Sequence, residues 1–282
     1  MRRIKSHTSE KLEYVRKYIE GYLVATKKLP YKYYIDAFAG SGKCILCDTE
    51  CNSRGGKRCL LCGRGRVVDG SVLISLKTKN KFSGYIFIEI IQNNIKNLEK
   101  IILQEFPEDR GLIKIKKADS NELLKNLYQH VSQYAGCLIF LDPEGPELFW
   151  NTVKYLSKIK KVELLILYPY DMSLVRLVKN FQEKLDKFYG NDEWFKIYND
   201  KNNYNAEKRK LMLLDLYVNN LKKLGFEYVV LKQIRRNLRS GKSLYHLILA
   251  THHPAGKKIM EDIFNKELDG QQKINFLKST IL

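Results

Sequence analysis

Short apolar, β-branched and aromatic runs alternate along this chain with longer segments whose apolar positions recur at helical spacing. The runs are Tyr33–Asp36, Gly84–Ile90, Leu112–Lys117, Cys137–Pro146 (ending as a strand at Asp142-Pro143) and Val162–Tyr170. Leu12, Val15, Ile19, Tyr22 and Leu23 fall on one face of a helix expected over about Thr8–Lys28, capped by Thr8 or Ser9. Further helices are expected at Ser71–Leu76, Gln92–Phe106, from a cap at Ser120 or Asn121 to about Gln133, and at Glu147–Lys160. Strands alternating with helices of about 10–15 residues predict a parallel sheet covered on both faces, an α/β fold.

The last third breaks this rhythm. Helices are expected at Ser173–Tyr189 and Tyr204–Leu224, with Trp194-Phe195 on a short piece between them. The apolar runs Phe226–Lys232 and Leu244–Thr251 are separated only by a basic loop, which permits a hairpin and an antiparallel edge. A final helix is expected at Gly256–Leu268. Seven strands result, mostly parallel, in one domain over residues 1–282.

Between Gly42 and Gly70 the pattern stops. Residues 43–69 are rich in Cys, Gly and Arg and poor in large apolar side chains, so they form an insertion. Five of the six cysteines lie here, and clustering of this kind points to a metal in a reducing compartment rather than to a disulfide framework. Cys44 and Cys47, with Cys59 and Cys62, make two x2-spaced chelating pairs of the structural-zinc type, with Cys51 as a fifth thiol. An iron–sulfur cluster is the minor alternative.

Charge adds a partner. Fifty Lys and Arg against 31 Asp and Glu leave a formal charge of +19, a field that attracts polyanions, unless it only reflects a Lys-rich genome. Lys43, Arg54, Lys57, Arg58, Arg64 and Arg66 surround the insertion's thiols. Arg235, Arg236, Arg239 and Lys242 sit in the late basic loop. Both groups are candidate grips on a nucleic-acid backbone, and the competing reading is two solvated loops. No apolar run approaches the roughly 18–20 residues of a membrane span, and the basic N-terminus lacks a secretory apolar block. The cytoplasm is the expected compartment.

Four acidic sites end successive expected strands: Asp36, followed by Gly40 and Gly42, then Glu89, Asp119 and Asp142-Pro143. Residues at consecutive carboxyl ends of an open α/β sheet converge on one crevice. In dinucleotide folds the ribose-binding acid lies about 20 residues past the glycine loop. Glu89 lies 47 residues past Gly42, and removing the 27-residue insertion restores that spacing. Taken singly, each acid is as readily a helix cap. His252-His253 ends an apolar strand and reads as a cap or surface pair, the Tyr14, Tyr18 and Tyr22 stripe as packing, and Cys137 as a small buried hydrophobe.

The motifs FAGSG and FLDPEGP, with KLEYVRKYI, GSVLISL, FIE and LILATHHPAGKKIM, resemble S-adenosylmethionine-dependent methyltransferases. The nearest likeness is to the three-Cys-motif partner (TcmP) family, with rRNA adenine-N6 methyltransferases more distant. The resemblance implies a Rossmann-like methyltransferase fold and S-adenosylmethionine as cofactor. It implies that Asp36, Phe38, Ala39, Gly40 and Gly42 meet the methionine end of that cofactor. Glu89 would take the ribose and Asp119, with Ser120, the adenine. Asp142 and Pro143 occupy the place of the Asp-Pro-Pro-aromatic loop that holds a target amine. Here Asp-Pro-Glu-Gly stands instead, so a stacking ring would come from Phe149, Trp150 or Tyr168. The implied activity is methylation of a nucleic-acid base amine. The alternative is a non-catalytic nucleic-acid-binding subunit working beside a partner enzyme.

Overall fold

A computed structural model describes residues 2–4, 6–46, 66–169, 182–235 and 243–266. A strand β1 (Arg2–Ile4) and helix α1 (Ser6–Ala25) precede β2 (Lys32–Asp36). The ribbon β3 (Lys43–Leu46) and β4 (Arg66–Asp69) leads to α2 (Ser71–Leu76), β5 (Gly84–Glu89), α3 (Gln92–Glu105) and β6 (Ile113–Lys117). Two short helical turns, α4 (Ser120–Leu124) and α5 (Leu127–His130), precede β7 (Gly136–Leu141), α6 (Trp150–Leu156) and β8 (Val162–Pro169). The last elements are α7 (Gln182–Tyr189), α8 (Glu193–Asn199), α9 (Ala206–Lys223), β9 (Tyr228–Arg235), β10 (Ser243–Thr251) and α10 (Pro254–Asn265).

Seven strands make one sheet in the order β6-β5-β2-β7-β8-β10-β9. β10 runs antiparallel to both β8 and β9, so the expected hairpin is present and its second strand is the one inserted next to β8. The all-apolar β7 shows why both faces are covered. Cys137, Ile139 and Leu141 enter one core with residues of α6, α7 and α9. Leu138 and Phe140 enter the other, with Tyr14, Tyr18 and Tyr22 of α1, Leu73 of α2 and Leu98 of α3. A strand with period-two side chains and no polar face is stable only between two layers. The Tyr stripe and Cys137 are buried as expected.

Three local expectations are corrected. Helix α1 begins at Ser6, so Thr8 and Ser9 lie inside it and do not cap it. The cap of α4 is Asp119, whose Oδ1 accepts from the N–H groups of Asn121 and Glu122, one residue earlier than read from the sequence. The expected helix to Gln133 is two pieces, because Asn126 interrupts it.

Gly70 N–H donates to Gly42 O at 2.7 Å, beside the antiparallel β3–β4 ribbon in which Lys43–Leu46 pair with Arg66–Asp69. Gly42 has φ +82°, a conformation that a Cβ disfavours. Residues 47–65, which carry Cys47, Cys51, Cys59, Cys62, Arg54, Lys57, Arg58 and Arg64, lie outside the described residues. So do Arg236, Arg239 and Lys242. Cys44 lies on β3 and Arg66 is exposed at the start of β4, while Arg235 ends β9.

Candidate functional site

The strand order reverses at β2: β5 and β6 lie to one side of it, β7 and β8 to the other. A crevice at the carboxyl ends on either side of such a switch point is where open α/β sheets bind ligands. The loop after β2 enters this crevice with its backbone pinned on both sides. Ala37 N–H donates to Phe140 O at 3.0 Å, and Ala39 N–H to Ile88 O at 2.9 Å. Gly40 and Glu89 each follow a residue of the Ala39–Ile88 hydrogen bond, so the loop and the end of β5 are neighbours. Gly40 has φ +63° and open space where a Cβ would project. Gly42, in contrast, packs on Leu98 and Ile101.

Asp36 is fully buried. Its Oδ1 accepts from Phe38 N–H at 3.1 Å and its Oδ2 from Ser71 Oγ at 2.5 Å. Burial pushes its carboxyl up to about 7, the two hydrogen bonds pull it down, nearby Asp142 raises it again and Lys11 lowers it. The buried hydroxyl of nearby Tyr34 lacks a partner among the described residues.

Glu89 is 8% exposed, and Oε1 accepts from Ile91 N–H at 2.8 Å while Oε2 accepts from Asn94 Nδ2 at 3.1 Å. Each oxygen keeps further acceptor capacity for a hydroxyl. Ile90 and Ile91 beside it are 60% and 55% exposed, an apolar shelf suited to a flat ring that the sequence reading missed. Exposed isoleucines next to a buried acid were the available signal. Asp119 spends Oδ1 on its helix cap, and Ser120 Oγ donates to Ala37 O, tying α4 to the glycine loop.

Asp142 is not free. Lys11, 6% exposed on α1, pairs with its Oδ2 and lies 5.9 Å from the Phe140 ring centroid. Nothing in the Lys11 sequence context distinguishes it from the chain's other cations, so it was missed. Pro143 is buried. The segment from Asp142 to Phe149 is fixed by Asn121, whose amide donates to Glu147 O at 2.8 Å and accepts from Phe149 N–H and Thr152 Oγ1. Of the three candidate rings, Tyr168 is buried and bonded to the Tyr189 hydroxyl at 2.7 Å, so it does not face a substrate. Trp150 packs edge-on against Tyr217. Phe149 is half-buried and lines a cavity of 580 Å³ with Asn121, Tyr155 and Lys187.

Among the described residues no group of His, Cys, Asp and Glu is arranged to hold a metal, and the zinc expectation rests on cysteines outside them. No described helix is long and apolar enough to cross a membrane.

No protein-family model matches the chain, and no curated protein matches it. Among solved structures, protein LPL1258 from Legionella pneumophila, of family model DUF519, superimposes with TM-score 0.54 at 12% identity, covering 90% of this chain and 92% of its own. That likeness shows a shared fold. The MTase domain of METTL16 superimposes with TM-score 0.43 at 14% identity, covering 83% of this chain and 65% of its own. An rRNA methylase from Streptococcus thermophilus gives 0.41 at 9% identity, covering 86% and 95%. Likenesses as loose as these two say nothing about function. The class defined is a mixed α/β protein with a seven-stranded, mostly parallel sheet.

Proposed function

We propose that this chain is a methyltransferase that uses S-adenosylmethionine and acts on a base amine of nucleic acid, within or near the TcmP family. The observation that carries the reading is the pinned loop 37–40 beside Glu89, which leaves open space at Gly40 where a nucleoside-bearing ligand meets a carboxylate and an apolar shelf. The residues fit that cofactor. Glu89 would accept from the ribose hydroxyls, Ile90 would back the adenine, and the Gly40 loop would admit the methionine end. Bound there, the cofactor supplies an electrophilic methyl group. The chain supplies positioning: Asp142 accepts from the target amine through the oxygen that Lys11 leaves, and Asn121 holds the loop in register. The fourfold cysteine set is proposed to hold a structural zinc, and the net charge of +19 to hold the polyanion.

One observation favours the second reading, a nucleic-acid-binding subunit that keeps the fold. Asp142 already carries a cation, and Glu144 and Gly145, rather than a proline and an aromatic, directly follow Pro143. Incubation with pooled RNA and DNA and a labelled methyl donor, followed by nucleoside analysis, decides between them. Label in a single N-methylated base supports the enzyme. Tight cofactor binding with no transfer to any pool supports the subunit.

A further inference from the structure

A second built cavity lies at the opposite end of the sheet. The C-terminal half of α1, the first residues of β7 and β8, the end of β10 and the start of α10 enclose 330 Å³. Its floor holds Glu163, 9% exposed, which the crevice does not use. Glu163 Oε2 accepts from the Tyr18 hydroxyl at 2.5 Å and Oε1 from Thr251 Oγ1 at 3.0 Å. Each oxygen keeps acceptor capacity beyond that bond. Beside it the Tyr22 hydroxyl is buried with no partner among the described residues. Glycine at 256 keeps the floor uncrowded, since a Cβ there would lie 2.7 Å from Glu163 Oε1 and 3.0 Å from Thr251 Oγ1.

The walls and rim add two further demands. Ala25, Leu29, Val162 and Ile259 make the walls apolar. Lys28, Lys160 and Lys161 stand at the rim, all three exposed, and Glu163 is the one acid lining the cavity. The three lysines disfavour a cationic ligand. The apolar walls give a bare inorganic anion nothing to bury. A ligand that combines an apolar ring bearing hydrogen-bond donors with an anionic group matches this lining, at the small end of the usual pocket size of about 300–1,000 Å³. We propose that this cavity is a second small-molecule site that takes a purine mononucleotide, with base donors on Glu163 and the phosphate on Lys28, Lys160 and Lys161. Guanine, whose imino and amino donors are adjacent, suits a carboxylate best.

The proposal does not depend on the methyltransferase reading. Equilibrium dialysis of the full chain, at about 0.3 M salt to screen diffuse attraction, tests it with guanosine monophosphate, guanosine, inorganic phosphate and S-adenosylhomocysteine. Saturable uptake of the nucleotide is expected, not displaced by S-adenosylhomocysteine. The double variant Lys160→Ala/Lys161→Ala, at exposed positions, is expected to weaken it about tenfold through loss of charge-assisted contacts. Glu163→Gln is expected to weaken the nucleotide and guanosine alike; should that variant not fold, the lysine pair decides. No saturable uptake at about 1 mM, equal binding of inorganic phosphate, displacement by S-adenosylhomocysteine, or indifference to the lysine change would each overturn it.

Discussion

Replacing Lys11 with methionine tests the link between the first helix and the acceptor loop. Methionine keeps most of the apolar stem on Phe140 and removes the ammonium, leaving Asp142 unpaired. Breaking a fully buried pair costs roughly 3–5 kcal/mol. Here the Lys11 side chain is 7% exposed and that of Asp142 21%, so water relieves part of the stranded charge. A loss of about 2–3 kcal/mol follows from discounting that range. Against a urea dependence of about 2–3 kcal/mol per M, the midpoint should fall by about 1 M. Asp142→Asn in the same background should restore most of the loss, because no buried charge then remains without a partner. A double-mutant cycle that gives a coupling below about 0.5 kcal/mol would refute the pair as a structural contact. If the chain transfers methyl groups, Lys11→Met should also lower kcat with little change in cofactor affinity, since Lys11 orients Asp142 and does not touch the cofactor loop.

Other expectations rest on the same geometry. Asp36 is raised from an ordinary 3.8 to about 7, so in this interval the folded chain holds a proton that the unfolded chain has lost. That contribution is present below about pH 4 and is lost as pH rises through about 7, a change of about 4 kcal/mol; Asp36→Asn should flatten this slope in urea midpoints measured from pH 4 to 8, and an unchanged slope would count against it. Gly40→Ala should cost about 1–2 kcal/mol for the left-handed backbone, without steric clash, whereas Gly190→Ala should cost more, because at φ +81° a Cβ would also lie 2.2 Å from Trp150 Cδ1; equal thermal shifts for the two would contradict the difference. Elemental analysis should find about one zinc per chain, and chelation should remove it with proton uptake by the freed thiolates; iron in place of zinc would replace the assignment.

Much of the architecture was readable because the central strands β5, β7 and β8 are apolar runs buried on both faces. β7 has no polar position to confuse with a helix, and α2, only six residues long, was placed by its apolar density alone. The spacing that suggested an insertion over 43–69 is accompanied by a Gly70 N–H to Gly42 O hydrogen bond at its two ends. What could not be read was which polar groups neutralise one another across the fold. Asp36 and Asp142 share a neighbourhood with Lys11, separated by 131 positions from its partner, and no local pattern encodes such a contact. The cap of α4 was misplaced by one residue because Asp119, Ser120 and Asn121 are all good caps and only the turn geometry chooses among them. The basal Glu163 cluster was missed for the same reason, since Tyr18, Glu163 and Thr251 meet only when α1 crosses the sheet.

Titration of the chain with S-adenosylhomocysteine, in the natural form and as Glu89→Ala, measures the crevice itself. Saturable binding in the natural chain, weakened at least about tenfold by loss of the carboxylate that takes the ribose hydroxyls, is the predicted result. Binding that is absent in both, or equal in both, would mean that the space beside Gly40 does not hold a nucleoside.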